Sequence, residues 1–176
     1  MIDLYLSHPF DSRKYIRKWE LEFEKKTGIN LINPFYDNLS KEEEERINEG
    51  RTARYRRNDE RELIHRDITN ILLSKGIISI VDGNLSYGTI QEMVYAYLNH
   101  KLVFSVINNG HHNHPWLRYH SDKIFKSLQE LEEGITIDCP YCKQNKMHII
   151  SVEKNFDMYE CSCGKSWMEG KWEQQK

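Results

Sequence analysis

The chain has 176 residues, a formal net charge of −2 and an isoelectric point near 6.5. This length allows one domain of ordinary size with a small appendage, and the charge balance excludes a global basic field that would attract nucleic acid. No apolar run reaches the roughly 18 residues of a membrane helix. The chain begins directly with a strand-like segment and carries all its cysteines in its last quarter, so we expect no signal peptide and a reducing, cytoplasmic location.

The first part of the chain alternates strand-like and helical patterns. Residues 2–7 alternate apolar and polar side chains, which predicts a first strand. A helix is predicted over residues 13–27, with Ser12 as its N-cap and Gly28 as the residue that ends it. A short second strand is predicted at residues 29–32.

The next segment, residues 38–61, is highly charged. Ser40 followed by Glu43 is a capping-box signature, which predicts the start of a helix. The segment also holds the main concentration of basic side chains. These side chains are Arg51, Arg54, Arg56 and Arg57. Either they pair with nearby glutamates on a solvated face, or they form a lip over an anionic ligand.

The stretch from residue 76 to residue 97 predicts a strand, a loop and a helix. The β-branched run over residues 76–81 is typical of a buried parallel strand, and the apolar spacing from Thr89 onward is helical. Ligands of open α/β sheets bind at such a junction, beyond the carboxyl end of a strand. Glu92 lies one turn into the helix, where a carboxylate either complements the helix dipole or is catalytic.

The remaining elements complete an alternating pattern. We predict a helix over residues 62–75, a strand over 102–107, and a last helix over 121–133 that ends at Gly134. The alternation predicts a flavodoxin- or Rossmann-like α/β fold, a parallel sheet with helices on both faces. A histidine-rich loop follows the fourth strand and is either a metal tract or a solvated loop; its histidines are His111, His112 and His114.

The tail carries two cysteine pairs, Cys139 with Cys142 and Cys161 with Cys163, separated by enough residues for a hairpin. Four thiolates brought together predict a zinc ribbon whose closed site is structural, and disulfides are the alternative. Trp167 and Trp172 are expected to cover the ribbon or dock it on the main domain. Stacking of these rings on nucleic-acid bases is the alternative.

Several pieces of the chain, in the expected order, resemble the nucleoside 2-deoxyribosyltransferase family. They are Tyr5-Leu6-Ser7-His8-Pro9-Phe10, Asn33-Pro34-Phe35, Asp67, and Gly88-Thr89-Ile90-Gln91-Glu92 with Tyr95-Ala96. The resemblance implies that Glu92 is the nucleophile that attacks C1′ of a deoxyribosyl group. It also implies that Asp67 orients or protonates the leaving base and that Tyr5 holds the nucleophile. The predicted domains are a transferase-like domain over 1–134 and a zinc ribbon over 135–176.

Two departures from the family pattern bear on the substrate. Ser86 stands where the transferases usually carry an aspartate. Relatives that hydrolyse deoxynucleoside 5′-monophosphates also have a serine at this position, and they use it to hold the phosphate. A hydroxyl at a helix start also suits a phosphate better than a carboxylate does. His8 replaces a common glycine and is expected to contact the phosphate or narrow the pocket. Asp82, Gly88 and Thr89 complete the expected substrate site.

The leading hypothesis is hydrolysis of the N-glycosidic bond of a 2′-deoxynucleoside 5′-monophosphate, without an organic cofactor. One alternative is transfer of deoxyribose between bases, against which Ser86 argues. Others are a non-catalytic nucleotide sensor on the same fold, and a nucleic-acid-binding ribbon on an α/β scaffold. The family typically completes its active sites with a neighbouring subunit, so the resemblance implies at least a homodimer.

Overall fold

A computed structural model of the protein describes residues 3–37, 39–42, 45, 57–83, 86–108, 110–143 and 146–170. The first half contains β1 (Asp3–Ser7), α1 (Arg13–Thr27), β2 (Asn30–Ile32), α2 (Arg57–Leu73), β3 (Gly76–Val81) and α3 (Tyr87–Leu98). The second half contains β4 (Leu102–Ile107), α4 (Pro115–Tyr119), β5 (Lys123–Phe125), α5 (Leu128–Ile135), β6 (Thr136–Asp138), β7 (Lys146–Val152), β8 (Phe156–Cys161) and β9 (Ser166–Gly170). Within the described residues, no helix has both the length and the apolarity needed to cross a membrane.

The main sheet has five parallel strands in the order β2-β1-β3-β4-β5. This is the flavodoxin-like order, and it confirms the predicted α/β class. Helices α1 and α5 pack on one face of the sheet, while α2, α3 and α4 pack on the other. Because both faces are covered, the central strands β3 and β4 are almost wholly buried, which explains their continuous apolar sequences.

Close backbone approach explains one glycine at the start of β3. A Cβ atom on Gly76 would lie 2.6 Å from the carbonyl oxygen of Leu102, the first residue of β4. A side chain at this position would therefore push the two central strands apart. Strand β3 places its carboxyl end beside that of β1, and the candidate site lies at this edge of the sheet.

Helix α1 occupies the predicted residues, and Gly28 ends it with a φ of 75° in the left-handed region. Ser12 stands at the predicted N-cap position, but the expectation that its side chain caps the helix is wrong, because it makes no capping hydrogen bond. A 3₁₀ turn over Phe10–Ser12 gives Ser12 helical dihedral angles instead of the extended ones of an N-cap. Its hydroxyl donates to Oδ2 of Asp82 at 2.5 Å, which ties the start of α1 to the end of β3.

The prediction of one helix over residues 121–133 is also wrong. Residues Lys123–Phe125 form β5 at the edge of the sheet, and α5 begins only after Ser127, whose hydroxyl accepts from the amide of Glu130 at 3.1 Å. Gly134 lies inside α5, where a Cβ atom would come within 2.4 Å of the Phe125 ring. This glycine therefore allows helix and strand to pack closely.

The tail folds into a second, antiparallel sheet in the order β6-β7-β8-β9. Its central pair, β7 and β8, is the predicted hairpin, and it packs on the same face of the main sheet as α1 and α5. Met147 and Tyr159 of the small sheet are buried in that shared cluster, and Lys123 of β5 forms an ion pair with Asp157 at 2.6 Å. One hydrophobic cluster thus crosses the predicted boundary after residue 134, and the two-domain division stays a prediction.

Some predictions fall on residues outside the described ranges. Glu43 of the capping box, three of the four clustered arginines and Trp172 lie there, and so does the side chain of Arg57. Both interpretations of the arginine cluster therefore stay predictions. Helix α2 begins at Arg57, five residues before the predicted start at residue 62.

Candidate active site and cysteine cluster

A carboxylate held through both of its oxygens forms the centre of the site. The phenol of Tyr5 donates to Oε1 of Glu92 at 3.0 Å, and the hydroxyl of Ser7 donates to Oε2. Tyr5 and Ser7 are two residues apart on β1, so their side chains lie on the same face of the sheet. Ser7 belongs to the quoted motif but received no role from the sequence, although strand alternation with Tyr5 is a signal for it.

The surroundings of Glu92 change its acidity. Burial raises the pKa of Glu92 to about 7; the hydrogen bond from Ser7 opposes this and the negative charge of Asp67 adds to it. Burial and the charge of Glu92 also raise the pKa of Tyr5, so its phenol remains a proton donor. Because the pKa of Glu92 lies near neutrality, both protonation states of this carboxyl are accessible at ordinary pH; acid–base chemistry uses both states, and nucleophilic attack uses the anionic one.

A second carboxylate lies close enough to affect the first. Asp67 on α2 raises the pKa of both Glu92 and Tyr5 through its charge. Arg66 donates to Oδ1 of Asp67 from Nε and Nη2, each at 3.2 Å, and Nη2 also lies 3.2 Å from the carbonyl oxygen of Pro34. No sequence signal indicates a role for Arg66, because consecutive helical residues do not normally face each other. Here the same Nη2 atom of Arg66 contacts both the carbonyl oxygen of Pro34 and the carboxylate of Asp67.

The start of α3 provides a polar face one turn before Glu92. Ser86 is the N-cap, with an extended backbone, and its hydroxyl oxygen accepts from the amide of Thr89 at 3.4 Å. Gly88 is exposed, whereas Thr89 is buried and its hydroxyl oxygen has no hydrogen-bond partner among the described residues. The positive end of the helix dipole and the remaining free amides make this a suitable place for an anion.

His8 and Asp82 occupy the neighbouring strand ends. His8 is 4% exposed, and its Nδ1 lies 3.0 Å from the carbonyl oxygen of Pro9. Burial lowers the pKa of His8, although the Pro9 carbonyl and Asn33 oppose this effect. If Nδ1 donates to Pro9, the neutral ring presents a lone pair at Nε2, so contact with a phosphate requires His8 to take up a proton. Asp82 accepts from Ser12, as described above.

The structure thus brings the three predicted catalytic residues, Tyr5, Asp67 and Glu92, into one group. The predicted substrate-binding residues lie on the adjoining strand ends and at the start of α3: His8, Asp82, Ser86, Gly88 and Thr89. Proximity does not assign their roles, which stay predictions.

The four cysteine sulfurs lie within 4.8 Å of one another. The Cys139–Cys163 and Cys142–Cys161 pairs each have sulfurs 3.8 Å apart, far longer than the roughly 2.05 Å of a disulfide. A tetrahedral ion bound at about 2.3 Å from each sulfur has sulfur–sulfur edges of about 3.8 Å, so these donors fit a closed tetrahedral metal site.

The histidine-rich loop does not form a comparable cluster. Across the described residues, the cysteines are the group of three or more ligand side chains that lie close enough to share an ion. His111 begins a 3₁₀ turn and His114 follows it; both are exposed, which agrees with the solvated-loop interpretation.

Neither a family model nor a curated protein sequence matches the chain. Solved structures do match. A 2-deoxyribosyltransferase from the psychrotolerant bacterium Bacillus psychrosaccharolyticus is 17% identical, with a TM-score of 0.59 over 74% of this chain and 90% of that one. The CMP N-glycosidase of Clostridium botulinum is 14% identical, with a TM-score of 0.50 over 75% and 96% of the two chains. The likeness establishes the nucleoside 2-deoxyribosyltransferase-like fold, which the sequence motifs predict.

Proposed function

We propose that the protein hydrolyses the N-glycosidic bond of a 2′-deoxynucleoside 5′-monophosphate and releases free base and deoxyribose 5-phosphate. The observation that carries this proposal is the Glu92 carboxylate, held by Tyr5 and Ser7 with Asp67 close by. Cleavage of a glycosidic bond passes through an oxocarbenium-like state. One carboxylate captures or stabilises the sugar carbon, and a second group serves the leaving group.

In the proposed first step, an oxygen of Glu92 forms a bond to C1′ while the bond from C1′ to the base breaks. The base leaves with the bonding electrons and takes up a proton, and Asp67 orients the base or supplies that proton. In the second step, the oxygen of a water molecule forms a bond to C1′ while the bond from C1′ to Glu92 breaks, the proton that the water loses passes to Asp67 or to solvent, and Glu92 is released as a carboxylate. Tyr5 and Ser7 hold the carboxylate in place and stabilise its charge when it is free.

One residue and two structural similarities bear on the choice between the candidate functions. Ser86 at the start of α3 favours a phosphorylated substrate, because an aspartate there would repel a phosphate. The second candidate function is transfer of deoxyribose to another base, which the similarity to the Bacillus transferase supports. The similarity to a nucleoside monophosphate N-glycosidase supports the hydrolase. A nucleotide sensor without activity is the third candidate, and it gives no role to the nearby carboxylates of Glu92 and Asp67.

The direct test is to incubate the purified protein with each deoxynucleoside and its 5′-monophosphate and to separate free base by chromatography. Hydrolysis predicts base and deoxyribose 5-phosphate in equal amounts with no second base present. Formation of a new nucleoside only when a second base is added identifies a transferase. Binding of nucleotides without release of base identifies a sensor.

Asp67→Asn should slow base release in a way that depends on the leaving group. We expect a loss of about 10-fold or more for a base that leaves poorly, because general acid assistance contributes about 10²–10⁴-fold. The loss should be smaller for a base that leaves easily. Parallel kcat measurements on the two substrates check this, and equal losses on both would mean that Asp67 only orients the sugar.

We also propose that the cysteine cluster binds one structural zinc ion per chain. Metal analysis of the purified protein should find about one zinc, the default ion of four-thiolate sites. Cys142→Ser should lower both the zinc content and the melting temperature, because the small sheet shares its apolar cluster with the main sheet. The active-site residues lie outside the small sheet, so base release at low temperature should persist. Protein without metal, or with paired thiols, would contradict this proposal.

A further inference from the structure

A buried carboxylate that the proposed chemistry does not use lies on helix α1. Glu20 has 0% exposed surface. Burial raises the pKa of Glu20 to about 7, although hydrogen bonding to Asn33 and the charge of Arg17 lower it. Arg17 donates to Oε1, and Nδ2 of Asn33 donates to Oε2 at 2.7 Å. The carboxylate is therefore paired through both of its oxygens, and removal of either partner would leave a buried group unpaired.

Glu20 determines which way the Asn33 amide points. With Nδ2 donating to Glu20, the Oδ1 of Asn33 is left as an acceptor, and it accepts from the amide of Phe35 at 3.0 Å. The backbone amide of Asn33 donates to Oδ2 of Asp37 at 2.6 Å, and its carbonyl accepts from the amide of Tyr36 at 3.0 Å. Asn33 is fully buried and organises the turn over residues 33–37, as Asx side chains do.

This turn contacts the candidate active site on two sides. The Phe35 ring packs against the His8 ring, with 5.0 Å between their centroids. The carbonyl oxygen of Pro34 accepts from Nη2 of Arg66 at 3.2 Å, and the same guanidinium donates to Asp67. The chain of contacts therefore runs from Glu20 through the turn to the second carboxylate of the site.

We infer that Glu20 is a positioning residue, which fixes the Asn33 amide and, through Pro34 and Arg66, sets the carboxylate of Asp67. The inference rests on the proposed function. It implies that loss of the Glu20 contact acts on departure of the base. Capture of the sugar should change little, because Glu92 is held by Tyr5 and Ser7 of β1 and not by the turn over residues 33–37.

The test compares three variants on α1. Glu20→Ala removes the acceptor for Asn33, whereas Glu20→Gln keeps a carbonyl oxygen that can accept the same hydrogen bond. Glu24→Ala is the matched control, because Oε1 of Glu24 likewise accepts a hydrogen bond, here from the backbone amide of Leu31 at 2.7 Å, without reaching the turn. For each variant, kcat and KM are measured on one monophosphate whose base leaves poorly and one whose base leaves easily, together with the melting temperature.

We expect Glu20→Ala to lower kcat about 10-fold or more on the poor leaving group, since misplacement of a supporting group by about 1 Å can cost up to 10²-fold. On the easy leaving group the loss should stay within about 3-fold, and KM should change little. Glu20→Gln should restore most of kcat. Glu24→Ala should lower the melting temperature without any dependence on the leaving group. If Glu20→Ala does not fold, Glu20→Asp, whose side chain is one methylene shorter, should give the same pattern at smaller size.

Equal losses on both substrates, or losses that follow the melting temperature in both alanine variants, would reduce Glu20 to a structural residue and overturn the inference alone. No release of base by the unmodified protein would overturn the proposed function, and this inference with it. The two failures are therefore distinguishable in a single set of assays.

Discussion

Replacing Glu92 by glutamine should reduce base release by at least ~100-fold while the protein still folds, because an amide cannot replace a carboxylate as the nucleophile of a covalent route. Glutamine has nearly the same shape and still offers one acceptor to the donors on β1, Tyr5 and Ser7. The measurement is kcat on the best 5′-monophosphate. Glu22→Gln, the same change at an exposed position of α1, is the control and should leave kcat unchanged.

The same variant has an expected stability signature. Burial raises the pKa of Glu92 from 4.5 to about 7, so the folded state binds this proton more tightly than the unfolded state does. The contribution of Glu92 to stability is therefore full below pH 4.5 and is lost as the pH rises through 7. This loss amounts to about 3 kcal/mol at most, at 1.36 kcal/mol per pKa unit. The free energy of unfolding of Glu92→Gln minus that of the unmodified protein should therefore be more positive at pH 8 than at pH 4.5.

Denaturant unfolding of both proteins at the two pH values measures this difference in stability. Base release by the unmodified protein should rise with pH and level off above about pH 7, because the anionic form of Glu92 is the nucleophile. A Glu92→Gln protein within a few-fold of normal activity would remove Glu92 from its proposed role. If Glu92→Gln lost both its activity and its fold, the expected stability of this variant would be contradicted.

The form of the substrate is the second large effect. The unmodified protein should prefer the 5′-monophosphate over the free nucleoside by at least ~100-fold in kcat/KM, because charge-assisted hydrogen bonds contribute about 1.5–3 kcal/mol each. Ser86 is the N-cap of α3, and aspartate is an equally good cap, so Ser86→Asp should preserve the helix. It places a carboxylate where the phosphate is expected and should reverse much of the preference.

Ser86→Asn is the matched control for this experiment. Asparagine has the size and capping ability of aspartate but no charge, so it separates repulsion of the phosphate from simple filling of space. Ser86→Asn should keep a clear preference for the monophosphate. Equal effects of the two substitutions would contradict a charge mechanism. Equal cleavage of nucleosides and monophosphates by the unmodified protein would make transfer of deoxyribose the leading function.

Local sequence patterns predicted those parts of the fold that short-range physics controls. Helix α1 occupies the predicted residues because its apolar spacing is regular and Gly28 can adopt the left-handed conformation that ends it. Strands β3 and β4 are continuous apolar runs, which indicate burial on both faces. The motif that contains Glu92 placed the site at the start of α3, beyond the carboxyl end of a strand, where open α/β sheets bind ligands.

Other features depend on partners that are distant in the sequence. Ser12 was predicted as a cap, but the carboxylate of Asp82, 70 residues away, accepts its hydrogen bond. Residues 123–125 read as helix, yet they form an edge strand because β4 offers them a parallel partner. A pattern within one segment carries no information about which acceptor or strand edge the fold will bring to it.

The sequence by itself therefore determined the α/β class, the approximate position of the candidate site and the four cysteines that lie close enough together to hold a metal ion. Only the tertiary structure decided how Glu92 is held, which guanidinium pairs with Asp67, and how the small sheet packs on the main one. The physical reason is range. Propensity, apolar periodicity and helix termination act within a few residues, whereas burial, pKa shifts and paired carboxylates arise only when distant strands and helices meet.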